Sequence, residues 1–339
     1  MFTFIVTCYN QAEVVPHALE SIKYQILRFG SNLEFQLIIT DDGSRDESCR
    51  VIRGWLEENN GLFARTNLLF RKENAGICVN YAEALKCIEV ESFVVLNGDD
   101  LLAPYSVFEL TDRLKEYDLV CTAFLKFTGS GEMIKSYGTY LEVVLQEFIR
   151  GRTLEQAIKL GFPIMGTVVF RKSLVSEGVL DFILNFRTVN DRACFRKILE
   201  ENRNIRVCYV NRPIILYRIS AASISNFASP TRVLHNREVA RLCRIEREKE
   251  KSRLFRLLLF WQEKSAAFRT SSSAVVRLFR FFSPYFAIMF WLYLRHYGEI
   301  RKMERELVDF HWEDCRRHYF AMANAGKSAG EDEKCYDEQ

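Results

Sequence analysis

Two pairs of adjacent acids stand where carboxylates can do chemistry. In residues 95–104, VLNGDDLLAP, Asp99 and Asp100 follow a hydrophobic run and the turn-forming Asn97 and Gly98. In residues 40–46, TDDGSRD, Asp41 and Asp42 precede Gly43, and Asp46 follows in what reads as the first turn of a helix. Such acids have a plain structural use, because Asn-Gly makes a tight turn and Asp caps the helix that follows. They have a chemical use as well. Mg2+ or Mn2+ takes hard oxygen ligands and is held against a diphosphate by one or two carboxylates. Asp41, at a strand tip, could instead accept hydrogen bonds from a base or sugar edge. A phosphoacceptor module also sets paired acids at a strand end, but it needs a Lys at a late strand tip and a much shorter chain.

What must position these acids is a repeated βαβ unit. Four short apolar runs, FTFIVT, FQLIIT, NLLFR and SFVVLN, alternate with amphipathic stretches, which predicts a mostly parallel sheet flanked by helices. Val14, Val15, Ala18, Leu19 and Ile22 share a face of the first predicted helix. Val51, Ile52, Trp55 and Leu56 do so in the second, and Ile77, Tyr81, Leu85 and Ile88 in the third. Ser44 and Glu47 have the spacing of a capping box at the start of the second helix, and Pro104 is placed to open a fourth. Polar residues gather just past each strand, as TCYN, DDGSRD, ENAG and NGDD. In an open parallel sheet the ligand crevice lies beyond those ends, so four loops converge on one place.

In this order and spacing, VTCYNQAEVVPHALESI, IITDDGSRDES, NAGICVNYAEAL and VVLNGDDLLAP resemble the nucleotide-sugar half of the inverting family 2 glycosyltransferases, of bacterial surface-polysaccharide type. The resemblance is close over residues 2–110 and fainter to about residue 225. It implies a GT-A fold, Rossmann-like α/β with a mostly parallel sheet, to which the Arg-rich texture past residue 229 adds an α-helical C-terminal extension. It also implies an enzyme dependent on Mn2+ or Mg2+. Such an enzyme moves a sugar from a nucleotide-sugar, a UDP-sugar by this likeness, to a hydroxyl of a glycan or lipid-linked oligosaccharide acceptor.

The resemblance assigns roles residue by residue. Thr7 and Tyr9 match first-strand residues that touch the nucleotide base, the Tyr ring offering a stacking face. Asp41 matches the carboxylate that bonds the base, while Asn74 and Gly76 match the loop near the ribose and phosphates. Asn97, Gly98 and Asp99 match an Asp-x-Asp element, so Asp99 is the expected metal ligand. The sequence departs from the pattern at Asn97, which can bond a ribose hydroxyl but brings no charge. Asp100 is left as a group supporting the metal ligand or as a helix cap. FPIMGTVVFRKSL resembles the wall of the acceptor site, and Asp191, in TVNDRACFRKIL, stands where the family keeps its catalytic base. In YRISAASIS, Ser220 replaces a His, leaving Arg218 as a phosphate contact or a surface ion-pair partner. These departures keep two other readings open: an inactive sugar-nucleotide-binding protein, and a nucleotidyltransferase with a similar crevice.

The texture changes near residue 229. Residues 1–228 read as the catalytic domain, divided at about residue 110 into nucleotide-sugar and acceptor halves; 229–322 read as a helical region rich in Arg and aromatics, and 323–339 as a loose tail. In the helical region, FFSPYFAIMFWLYL is a run of fourteen residues flanked by Arg277, Arg280 and Arg295. That is short of the roughly 20 residues needed to span a bilayer. A helix packed on the catalytic domain and a helix lying in a membrane interface both fit, and the aromatic and Arg bias favours the interface. No two cysteines stand at Cys-x-x-Cys spacing, and MFTFIVTCYN reads as a first strand rather than a signal peptide. The expected setting is cytoplasmic, peripheral on the cytoplasmic face of the inner membrane. A formal charge of +3 over 339 residues gives no electrostatic case for nucleic acid, and 48% apolar content suffices for a large core.

Overall fold

A computed structural model describes residues 1–128, 130–134, 168–202, 204–219, 230–269, 273 and 284–325. Its centre is an eight-stranded sheet in the order β3-β2-β1-β4-β7-β6-β8-β5. The four predicted strands are β1 (Phe2–Cys8), β2 (Phe35–Asp41), β3 (Arg65–Phe70) and β4 (Ser92–Asn97). All of their mutual pairings are parallel, β1 lying between β2 and β4 and β2 beside β3. The other strands are β5 (Leu101–Leu102), β6 (Leu119–Thr128), β7 (Val168–Arg171) and β8 (Val207–Ile219). β7 runs antiparallel between β4 and β6, so the sheet is parallel where it carries the four polar loops and mixed beyond β4.

Every residue of β1 and β2 is buried, the pattern of strands covered on both faces. Phe2, Phe4 and Val6 enter one apolar cluster, with α1 (Val15–Phe29) and α2 (Ser48–Glu58) packed over it. Ile5 points the other way and joins Ile38 and Phe93 beneath α3 (Ile77–Lys86). The apolar stripes read from the sequence are the faces that meet these clusters: Leu19 and Ile22 in α1, Ile52 and Trp55 in α2, Tyr81 and Leu85 in α3.

Two predicted helix starts differ from the structure. α2 begins at Ser48 with no side-chain cap, so Ser44 and Glu47 form no capping box and Asp46 precedes the helix. Ser44 is held instead by the Asp41 carboxylate, which accepts its N–H at 2.8 Å and its hydroxyl at 2.5 Å. Asp46 in turn accepts the N–H and the hydroxyl of Ser48 at 3.0 and 2.5 Å where the helix begins. Likewise, Pro104 opens no long helix. Leu101 and Leu102 pair with β8, and only α4 (Glu109–Arg113) follows. Buried Gln25 explains this. Its amide nitrogen donates to the carbonyls of Ala103 and Tyr105 at 2.7 and 3.0 Å, and its oxygen accepts the N–H of Val107 at 3.1 Å, so the backbone bonds of this loop go to a side chain.

Past β7 come α5 (Glu177–Ile183), α6 (Asn190–Glu201), α7 (Pro230–Lys249), α8 (Arg253–Arg269), α9 (Pro284–Arg295), α10 (Tyr297–Arg305) and, after a π-helical turn at Glu306–Phe310, α11 (His311–Ala325). The C-terminal helices help build the core rather than forming one of their own. Val239, Leu242 and Cys243 of α7 join the cluster under α3, while Cys315, Tyr319 and Met322 of α11 join the cluster under α1.

His318 of α11 donates from Nε2 to the carbonyl of Leu102 at 3.0 Å, and burial lowers its pKa to about 4. The unfolded chain takes up this proton near the ordinary value of 6.5, so between 6.5 and about 4 the unfolded state binds more protons. Stability is therefore full above that window and falls as pH drops through it, by on the order of 3 kcal/mol from this residue. His318→Gln keeps a donor for Leu102 without a titrating ring. Its thermal midpoint should drop less between about pH 7 and about pH 4.5 than that of the wild type. Equal drops would acquit His318.

Candidate functional site

The loops at the carboxyl ends of β1, β2, β3 and β4 form the site. Register sets Thr7 of β1 beside Asn97 of β4, and Cys8 beside Asp41 of β2. From there a hydrogen-bonded chain runs through the acids. The Thr7 hydroxyl donates to Asn97 Oδ1 at 3.1 Å, Asn97 Nδ2 donates to Asp100 Oδ2 at 3.1 Å, and Asp100 Oδ1 accepts the N–H of Arg218 at 2.8 Å. Asp100 is thus buried and fully engaged, which rules out its use as a helix cap. Gly98 donates its N–H to the Thr7 carbonyl at 2.8 Å, and a Cβ there would lie 3.2 Å from that carbonyl oxygen, so the two loops approach closely at this residue.

Asp99 is left over. Among the described residues no side chain pairs with its carboxylate, and burial raises its pKa against the charge of nearby Arg218. Burial and then the Asp99 charge push Asp100 well above the ordinary carboxylate range. Arg218 is 3% exposed, which excludes the surface ion-pair reading. Its Nε donates to the Asp99 carbonyl at 2.7 Å, and its guanidinium lies 4.6 Å from the ring centre of Phe127 and 5.9 Å from that of Tyr319. Among the described residues no three His, Cys, Asp or Glu side chains gather as a metal cage. The donor set fits a hard cation held by one carboxylate and by oxygens of a bound diphosphate, the usual arrangement for Mg2+. Ser220 lies outside the described residues, as do residues 162–167 of FPIMGTVVFRKSL.

At the neighbouring loops, Asp41 is fully buried with its carboxylate on Ser44, while Tyr9 is 44% exposed and presents its ring at the end of β1. Asp42 accepts the N–H groups of Ala75 at 2.8 Å and Gly76 at 2.9 Å, tying the loop after β3 to the loop after β2. Gly76 has φ of 97°, and a Cβ on it would collide with Arg187. The Arg187 guanidinium lies across that loop, donating to the carbonyl and the side-chain oxygen of Asn74 at 2.9 and 2.5 Å. Glu238 of α7 fixes this arrangement by accepting the N–H of Arg187 at 2.8 Å and the N–H and hydroxyl of Thr188 at 2.7 and 2.5 Å.

Asp191 stands exposed in the first turn of α6, directly after that anchored stretch. Its carboxylate accepts the N–H of Arg192 at 2.6 Å. The structure therefore brings Thr7, Asn97, Gly98 and Asp99 into one bonded set and joins Asn74 and Gly76 through Arg187. Asp191 shares no described contact with either group. Sequence reasoning missed Arg187 and Glu238, and it gave Asp42 no task. Only Asp42 left a signal, as the second acid before Gly43.

The sequence profile of glycosyl transferase family 2 matches residues 3–178, just over half of the chain. The chain belongs to that family. This glycosyltransferase is 31% identical over 126 residues to a teichoic acid poly(glycerol phosphate) polymerase of Staphylococcus epidermidis, a match covering 37% of this chain and 16% of that one. It is 29% identical over 126 residues to an uncharacterized glycosyltransferase of Mycoplasma genitalium, covering 36% of this chain and 40% of the relative. The matches span less than half the length of either relative. Among solved structures, S. aureus TarS in complex with UDP-GlcNAc superposes with a TM-score of 0.53 at 13% identity, over 97% of this chain and 92% of TarS. The mannosyltransferase of Pyrobaculum calidifontis in complex with GDP-Man and Mn2+ gives 0.51 at 16% identity, over 95% and 85%. These likenesses establish the GT-A fold.

Proposed function

We propose that this glycosyltransferase transfers a sugar with inversion from a UDP-sugar to a hydroxyl of a surface polymer or its lipid-linked precursor. The observation that carries the reading is Asp99, a carboxylate without a side-chain partner among the described residues, at the tip of β4 where Thr7, Asn97, Asp100 and Arg218 bond one another in a chain. Relatives support it: the partial match to a teichoic acid polymerase points to a surface polymer, and the fold neighbours hold UDP-GlcNAc or GDP-Man with Mn2+. A divalent ion bound with the donor would supply positive charge to the departing diphosphate. The chain's own residues do the rest. Tyr9 offers its ring to the base, the Asn74 loop bounds the nucleoside, and Asp191 takes the proton of the attacking hydroxyl. A panel of nucleotide-sugars tested for donor hydrolysis should give one preferred UDP-sugar, turned over with Mn2+ or Mg2+ and not in chelator. Turnover indifferent to chelator would overturn the metal assignment, and no turnover of any donor would overturn the donor assignment.

Attachment to the cytoplasmic membrane face belongs to the same proposal. No described helix is long and apolar enough to cross a membrane. Arg277 and Arg280 lie outside the described residues, but α9 and the start of α10 present Phe290, Trp291, Leu294 and Tyr297 at 65, 53, 60 and 53% exposure. The Arg295 guanidinium stands 5.1 Å from the Trp291 ring centre. Exposed aromatics beside Arg suit the headgroup region of an anionic bilayer. The full chain should sediment with anionic vesicles at low salt and be released at high salt, and Phe290→Ser with Trp291→Ser should weaken the attachment. A chain that stays in the supernatant with every vesicle would refute it.

A further inference from the structure

Away from the strand tips, α7 and α8 enclose a cleft of about 370 Å³ lined by Arg237, Ala240, Arg241, Arg244 and Ala267. The three arginines stand four and three residues apart on α7, so their side chains share one face of the helix. Like charges at this spacing repel and destabilise a helix unless something answers them. Buried Glu263 of α8 answers in part, accepting from Arg244 at 3.0 Å and from Arg247 at 3.0 Å. Arg241 donates to the neutral carbonyl of Asn185 at 2.9 Å and lies 5.3 Å from the Phe186 ring centre, contacts that leave its charge uncompensated. Arg237 is exposed and has no partner among the described residues. Ala240 and Ala267 add little bulk, so the space beside the arginine side chains stays open.

We propose that this cleft binds a phosphate ester carried by the acceptor. The assignment rests on the reading above that the chain glycosylates an acceptor. Guanidinium forks bond phosphate oxygens through paired N–H groups, and Arg237 and Arg241, which no carboxylate pairs with among the described residues, border one cleft and suit a phosphodiester or a diphosphate there. The cleft also adjoins the acceptor half. Arg241 holds Asn185, and Glu238, on the same turn of α7, holds Arg187 and Thr188, so the chain bordering the cleft runs into α6 and Asp191. An anion seated there would anchor the acceptor beside the segment that presents the candidate base. None of the lining residues belongs to the donor loops.

The phosphate has two possible sources, a soluble phosphodiester polymer or a lipid-linked diphosphate, and the test separates them. The full chain, with UDP and Mn2+ present throughout to fill the donor site, is titrated calorimetrically with a glycerol phosphate oligomer. In parallel it is sedimented with phosphatidylcholine vesicles with and without a polyprenyl diphosphate. Binding is expected in one arm, weakened about tenfold or more by Arg237→Glu, since hydrogen bonds to charged groups are worth that much. Arg237 makes no contact that this change would break among the described residues, and donor hydrolysis should be unaltered in the variant. Asp99→Ala should leave cleft binding intact. No binding in either arm, or binding indifferent to Arg237→Glu, would overturn the assignment. Donor hydrolysis measured on the same samples separates the two readings: hydrolysis without cleft binding sinks the cleft alone, and cleft binding without hydrolysis sinks the donor reading alone.

Discussion

Asp99→Ala should lose about 10³-fold or more of sugar transfer while the protein keeps its fold, because a metal-stabilised leaving group accounts for several kcal/mol of the barrier. The two halves of this expectation come from one fact. Asp99 is the acid in its loop that no side-chain partner holds, so its removal breaks no described side-chain bond and the thermal midpoint should stay near that of the wild type. Asp100→Ala makes the contrast. Asp100 bonds the Asn97 amide and the Arg218 N–H, and taking it away leaves the buried Arg218 N–H unpaired at about 1–3 kcal/mol. That variant should lose thermal stability before anything can be said of its chemistry. If Asp99→Ala transfers sugar at the normal rate in chelator, Asp99 holds no metal.

The parallel half of the fold was legible because its information is local. A strand buried on both faces reads as an unbroken apolar run, and Phe2–Cys8 and Phe35–Asp41 are such runs ended by polar loops. Thr7, Asn97, Gly98 and Asp99 were legible for the same reason, since parallel register carries the ends of neighbouring strands to one edge. What failed was of two kinds. The Ser44 capping box is a local signal that lost to a competing carboxylate, Asp41, which takes the Ser44 N–H that Glu47 would have bonded. Arg187 on Asn74, Glu238 on Thr188 and His318 on Leu102 join residues far apart in the chain, and no periodicity encodes which distant side chain will meet a loop. The same limit hid the role of the C-terminal helices. An Arg-rich, aromatic texture identifies helices but not the faces on which Leu242 or Tyr319 will pack.

Asp191→Asn should cost about 10² to 10⁴ in transfer rate, the range for losing a general base, with nucleotide-sugar affinity unchanged. The substitution keeps the side chain's shape and its acceptor for the Arg192 N–H, so the first turn of α6 should survive. What it removes is the ability to take a proton. Because Glu238 fixes Arg187 and Thr188 just ahead of this turn, the position of residue 191 is set by α7 and not by the carboxylate itself. The variant therefore separates chemistry from placement: kcat should fall while the KM for donor holds. Glu238→Gln tests the placement, since its single amide oxygen can accept from Arg187 or from Thr188 but not from both, and it should move kcat and acceptor KM together with a smaller loss. Single-turnover transfer, measured with donor saturating, reads the chemical step directly. A normal rate for Asp191→Asn would clear this residue and move the base to Asp181 or Glu177, both on α5, which packs against α6.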